Sequence, residues 1–116
     1  MKVEERRESK RLKTNLPVSV LHLGDKKYFG ETLTKDISST GLRINLDLFF
    51  PVNSSFLIKL HFPQEDKIVD GTAKIVWCQR ISFSDQYQAG LKFSEMNPFS
   101  KKWLEEHTFP KENLSE

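Results

Sequence analysis

The sequence predicts an all-β domain with a C-terminal helix, and within that class a six-stranded antiparallel β-barrel. Three observations carry this expectation. From Pro17 to Ser94 the apolar residues recur mostly at every second position, the period of a strand that buries one face. Short runs of Gly, Ser, Asn, Asp and Pro interrupt the alternation where turns are needed. After Asn97 the period changes, and Phe99, Trp103 and His107 fall four apart, as on one side of a helix. An open sheet of six short strands would leave two unpaired edges, which closure into a barrel removes.

Val18 and Val20 mark the first strand, and Gly24-Asp25 supplies the turn behind it. Phe29, Leu33 and Ile37 hold odd positions of a second strand, with polar Thr32, Thr34 and Asp36 between them, so the odd side chains are expected inside. Ser39-Thr40-Gly41 reads as the next turn. Leu42, Ile44, Leu46 and Leu48 then alternate with Arg43, Asn45 and Asp47, the cleanest strand pattern in the chain. Phe49-Phe50-Pro51-Val52-Asn53 breaks the period, and Phe56, Ile58, Leu60 and Phe62 restart it as a fourth strand ending at Pro63. After a polar loop from Gln64 to Lys67, Ile68 to Gln79 is long enough for a strand bent at Gly71, with Ala73, Ile75 and Trp77 on one face. That face makes Trp77 a core residue. Tyr87, Ala89, Leu91 and Phe93 form the sixth strand. Asn97 as N-cap and Pro98 at the first helical position start the helix, and Pro110 stops it.

At 116 residues, with 37% hydrophobic and 29% charged side chains, the chain fits one domain, and its nine Phe, two Trp and two Tyr supply bulk for a core that a disordered chain lacks. No apolar run approaches the roughly 18 residues of a membrane span, and no hydrophobic stretch follows the charged start MKVEERRESKR, so the expected location is cytoplasmic. The lone Cys78 has no intramolecular disulfide partner and reads as a buried, inert thiol. The formal net charge is only +2, too little for a general polyanion binder. Its distribution is uneven: residues 1–14 carry six basic and three acidic side chains, and the rest of the chain twelve basic and thirteen acidic ones. The chain therefore divides into a flexible basic arm (1–14), a barrel with its helix (15–109) and a polar tail (110–116).

Catalytic signatures are lacking. His22, His61 and His107 do not match a metal-ligand spacing, and there is no nucleophile elbow, phosphate-binding loop or dinucleotide fingerprint. The expectation is a binding protein without catalytic residues, metal or cofactor. Two segments stand apart. Arg7 and Arg11 bracket three residues in the arm just before the first strand, and Asp36-Ile37-Ser38-Ser39-Thr40-Gly41 joins the second and third strands. Separately, a basic arm reads as a solvated terminus and D-x-S-x-x-G as a polar turn.

Together and in this order, they resemble the PilZ domain, a bacterial receptor module for cyclic di-GMP whose hallmark is R-x-x-x-R followed by [D/N]-x-S-x-x-G. Arg7, Arg11, Asp36, Ser38 and Gly41 fill all five motif positions, and the Lys74-Ile75-Val76-Trp77 and Gln88-Ala89-Gly90-Leu91-Lys92-Phe93 stretches are similar to the later strands of such domains. The resemblance covers about Arg6 to Phe93 and implies a six-stranded barrel with a helix after it. It also implies a ligand with two phosphodiesters and two guanines. Arginine suits both parts, because its guanidinium forks onto phosphate or guanine oxygen and nitrogen and its plane stacks on a base. Asp36 would accept from guanine N–H groups, Ser38 would offer its hydroxyl to phosphate or base, and Gly41 would take positive φ or admit the ligand closely. Arg6, directly before the first motif, implies two ligand molecules per domain. Lys10, Trp77, Gly90 and Lys92 are further candidates for the same surface. The implied role is to report the second messenger to a downstream protein in motility, exopolysaccharide or adhesion control. Two other readings compete: a small barrel binding single-stranded nucleic acid, and a PilZ-like adaptor that binds no ligand. The nearly neutral body argues against long nucleic acid, and the intact motif against the adaptor.

Overall fold

The computed structural model describes residues 12–24 and 28–108 of the chain. Its elements are β1 (Leu12–Lys13), β2 (Pro17–His22), β3 (Phe29–Ile37), β4 (Gly41–Leu46), β5 (Ser55–Phe62), a 3-10 turn (Pro63–Glu65), β6 (Lys67–Arg80), β7 (Tyr87–Met96) and α1 (Pro98–Thr108). Antiparallel pairing runs β3-β2-β5-β6-β7-β4, and β4 pairs back onto β3, so the sheet closes as the expected six-stranded barrel. The two-residue β1 is not a seventh stave. It sets Leu12 opposite Ile37 and Lys13 opposite Asp36, on the same edge of β3 that β2 follows from Pro17 opposite Leu33. Pairing thus begins inside the segment read as a flexible arm.

The interior is filled from all sides by alternating residues, among them Val18 and Val20, Leu42 and Ile44, Ile58 and Leu60, Val69 and Ile75, and Ala89 and Leu91. Fully burying one of the larger aliphatic side chains stabilises the fold by about 1.5–3 kcal/mol. In β5 the alternation holds at every position, with Phe56, Ile58, Leu60 and Phe62 all buried. The helix starts as the sequence predicts: Asn97 Oδ1 accepts from the Phe99 amide at 2.7 Å. Its packing differs from the four-residue spacing, since Phe99 is 84% exposed while Leu104 is fully buried and Trp103 meets Phe62 edge-on at 4.7 Å. The predicted stop at Pro110 lies outside the described residues, as does Asp25 of the first turn.

Four further expectations are corrected. In β3 the inward position before the register break is the even Thr34, which is buried while Phe29 and Leu33 are exposed; beyond the break Ile37 is buried as expected. Thr34 tolerates the interior because its hydroxyl donates to Thr14 O (3.1 Å) and accepts from the Leu16 amide (3.0 Å), which ties the β1–β2 connection to β3. The third strand ends at Leu46, opposite Tyr87 where β7 begins, so Leu48 has no ladder to continue and is exposed. Cys78 is half-buried against the core rather than enclosed. Trp77 does not share the inward face of Ala73 and Ile75, for a reason that shapes the site described next.

Candidate functional site

Two register breaks turn side chains outward on one side of the barrel. In β3, Thr34 pairs with inward Ile44, but the register shifts at Lys35, so Asp36 pairs with outward Arg43 and Ile37 with inward Leu42. Without that extra residue Asp36 would share the inward parity of Thr34. In β6, Ile75 pairs with inward Leu91, the register shifts again at Val76, and Trp77 pairs with Gly90 on the outer face. A β-bulge re-aims the next side chain in this way. The burial of Trp77 predicted from even spacing fails for this reason, and the residue is 37% exposed.

The outcome is one row of cross-strand partners: Lys13, Asp36, Arg43, Gly90 and Trp77, from β1, β3, β4, β7 and β6 in turn. At about 4.8 Å per strand, Asp36 and Trp77 are separated by roughly 14 Å of sheet. Asp36, Arg43, Trp77, Gly90 and Val76 line a cleft of about 370 Å³ above Leu42 and Leu91. Asp36 is only 5% exposed, and its Oδ2 accepts from Arg43 Nη2 at 2.7 Å, a short charge-assisted contact of the kind a buried carboxylate needs. Arg43 Nη1 reaches Gln88 Oε1 at 3.4 Å on the other side. The Trp77 indole rests on the face of Gly90: a Cβ there would stand 2.3 Å from its Nε1. Only glycine leaves room for the ring in this position.

The D-x-S-x-x-G segment folds as a tight turn around its serine. Ser38 Oγ accepts from the amides of Thr40 and Gly41, both at 3.2 Å, and the Ser38 amide donates to Gly41 O at 2.8 Å. Ser38 is fully buried, and these bonds hold the turn that delivers Asp36 to the cleft. Gly41 neither takes positive φ nor faces the cleft. Its lack of a side chain instead serves a neighbouring strand, because a Cβ would lie 2.1 Å from the Leu91 carbonyl oxygen. Lys92 sits opposite Gly41 and Lys74, one row away, and lines a second groove of about 410 Å³ with Ser39, Thr40 and Lys101. Arg6, Arg7, Lys10 and Arg11 lie outside the described residues, but Arg11 directly precedes β1, whose Lys13 is in the row.

Of the sequence candidates, the cleft gathers Asp36, Trp77 and Gly90, and it adds Arg43, which sequence reasoning treated only as an outward residue of the third strand. The signal was weak: Arg43 is two residues past the motif glycine, and its meeting with Asp36 depends on the bulge. A carboxylate and a fixed guanidinium at one end of the row and an exposed indole plate at the other suit a ligand that carries flat heteroaromatic rings with N–H donors. A larger concavity of about 530 Å³, lined by Leu33, Lys59, His61 and Ile68 among others, lies against β2, β3, β5 and the start of β6 and holds no motif residue. Among the described residues there is no cluster of metal-ligating side chains and no helix long and apolar enough to cross a membrane.

Comparison with known proteins agrees with this geometry. The PilZ domain family matches residues 5–109. A search of curated proteins returns no match. Among solved structures, the Bacillus subtilis inhibitor of motility (MotI/DgrA) superposes with a TM-score of 0.80 at 21% identity, over 100% of this chain and 55% of that one. This chain therefore spans about half the length of that relative. The PilZ domain of Escherichia coli YcgR with cyclic di-GMP gives 0.68 at 16% identity over 96% and 95%, and the PilZ domain of CeSA from a cellulose-synthesizing bacterium gives 0.64 at 14% over 92% and 99%. At such identities these likenesses describe the fold, whereas the family match covers most of the sequence. A closed six-stranded barrel, a helix behind it and the paired motifs all lie within that match, and the chain belongs to the PilZ family.

Proposed function

We propose that this protein binds cyclic di-GMP on the outer row of the barrel and passes that binding on to a partner protein. The observation that carries the reading is the pairing of a buried, arginine-held Asp36 with an outward Trp77 on Gly90, beside the strand from which the R-x-x-x-R arm departs. Support comes also from family membership and from the YcgR relatives solved with that ligand. Asp36 accepts from the guanine N–H groups, Trp77 gives a stacking surface, and Arg7 and Arg11 clamp phosphate and base from the arm. Ser38 and Gly41 act chiefly by holding the turn. Charge-assisted bonds of about 1.5–3 kcal/mol each, set against about 1–2 kcal/mol for every arm residue ordered, leave a net near −8 kcal/mol, or roughly micromolar affinity.

Arg6 adds a third arm guanidinium, which favours two ligand molecules per domain. Ordering of the arm over the ligand creates the surface that the partner reads, and motility control is the favoured process because one structural relative is an inhibitor of motility. Calorimetric titration of cyclic di-GMP into the chain and into the Arg7→Ala/Arg11→Ala variant tests the reading. Saturable heat from the former, lost in the latter, is expected, with two equivalents bound and one equivalent in Arg6→Ala. Silence by calorimetry and by a second binding assay, in a chain shown to be folded, would overturn it.

A further inference from the structure

We propose that Arg43 is a positioning residue that sets the base specificity of this site by acting through Asp36. This role presupposes the cyclic di-GMP reading above and assigns a function to a residue outside both sequence motifs. Asp36 is 95% buried, and the Arg43 guanidinium stands 2.7 Å from its Oδ2, a close contact that orients the carboxylate where water has little access. Arg43 is itself gripped from both sides, by Asp36 Oδ2 and by Gln88 Oε1, and its Nε is buried without a hydrogen-bond partner among the described residues. Its fork therefore has a fixed plane, and the carboxylate bonded to it has a fixed aim.

Guanine presents two adjacent donors, N1–H and N2–H, to a well-aimed carboxylate. Adenine presents an acceptor at N1, which such a carboxylate repels. A site built to bond a donor rejects the analogue that lacks it far more strongly than a site of the right shape alone. Swinging the Asp36 carboxylate away would erase that discrimination while leaving the stacking plate of Trp77 intact. A cation that only attracted phosphate would instead serve guanine and adenine cyclic dinucleotides alike.

The test compares the full chain with Arg43→Gln, Arg43→Lys, Asp36→Asn and the Asp36→Asn/Arg43→Gln double variant. Cyclic di-GMP and cyclic di-AMP each compete against a fluorescent cyclic di-GMP analogue, so that weak binding stays measurable, and folding is checked by circular dichroism and melting. Arg43→Gln is expected to weaken cyclic di-GMP at least tenfold and cyclic di-AMP not at all. In the double variant the loss is expected to be no greater than in Asp36→Asn alone, because Arg43 has nothing left to act through. Arg43→Lys, which keeps the charge but loses the fork and is the milder change for folding, restores part of the selectivity. Equal weakening of both ligands, multiplied losses in the double variant, full restoration by lysine, or unchanged binding in Arg43→Gln would each overturn this role and leave the receptor reading standing. A folded parent chain that binds no cyclic di-GMP would overturn both.

Discussion

β5 and the pair β3/β6 are built by opposite rules. In β5 every even position from Phe56 to Phe62 is buried, and its pairing with β2 and β6 keeps register throughout. In β3 and β6 the register slips at Lys35 and at Val76, and the side chains after these two slips, Asp36 and Trp77, lie on the outer face, whereas a further slip between β6 and β7 at Thr72/Ala73 leaves Ala73 buried. The regular strand supplies cohesion, and the irregular ones supply the site. A strict period of two can place a residue only inside or outside. A bulge instead allows a strand to contribute to the core on both sides of a functional residue while turning that residue to the surface.

The contrast is sharpest in what substitutions do. Phe56→Ala empties a fully buried aromatic position in the regular strand and is expected to cost about 3–5 kcal/mol in urea unfolding. Gly41→Ala drives a Cβ against the Leu91 carbonyl oxygen and should cost about 1–3 kcal/mol, the strands having to part where the motif turn is anchored. Trp77→Ala, on the bulged side, should cost about 1 kcal/mol of stability or less. Its cyclic di-GMP affinity should drop by about 1–3 kcal/mol, the worth of stacking one base. A Trp77→Ala variant as destabilised as Phe56→Ala would break the division between cohesive and functional strands.

The smallest expected effect concerns Tyr28, just ahead of β3. Burial, then its hydrogen bond to Asp47 Oδ1 (2.9 Å) and the charge of that carboxylate, push its phenol up to about 12. A folded-state value above the ordinary one of about 10 means that the fold favours the protonated phenol. That stabilisation is complete below pH 10 and disappears as the pH rises toward 12. Tyr28→Phe should therefore flatten the loss of stability between pH 10 and 12 in alkaline unfolding curves. An unchanged slope would separate Tyr28 from that loss.

The same contrast explains what could be read from the chain. The fold was legible because most strands announce their period: Leu42, Ile44 and Leu46 in β4, and Phe56 to Phe62 in β5, are buried as spaced. The Asn97 cap was legible because capping is local chemistry. Asp36 and Ser38 stood out through their motif. What the sequence misjudged, namely the inward face of β3, the exposure of Trp77 and the partnership of Arg43 with Asp36, depends on register between distant strands. An extra residue such as Lys35 or Val76 carries no signature of its own, since a bulge exists only in relation to the strand beside it. Gly41 and Gly90 illustrate the same limit. Each is required by a neighbour, the Leu91 carbonyl or the Trp77 ring, that lies dozens of residues or a whole strand away.

The most direct test is to map backbone amide shifts by nuclear magnetic resonance as cyclic di-GMP is added to the isotopically labelled chain. The largest changes should fall on Asp36, Arg43, Gly90 and Trp77 along the outer row, with the Trp77 indole N–H among them, while β5 from Ser55 to Phe62 stays still. Changes centred instead on Leu33, Lys59, His61 and Ile68 around the larger concavity, with the bulged row silent, would contradict the account.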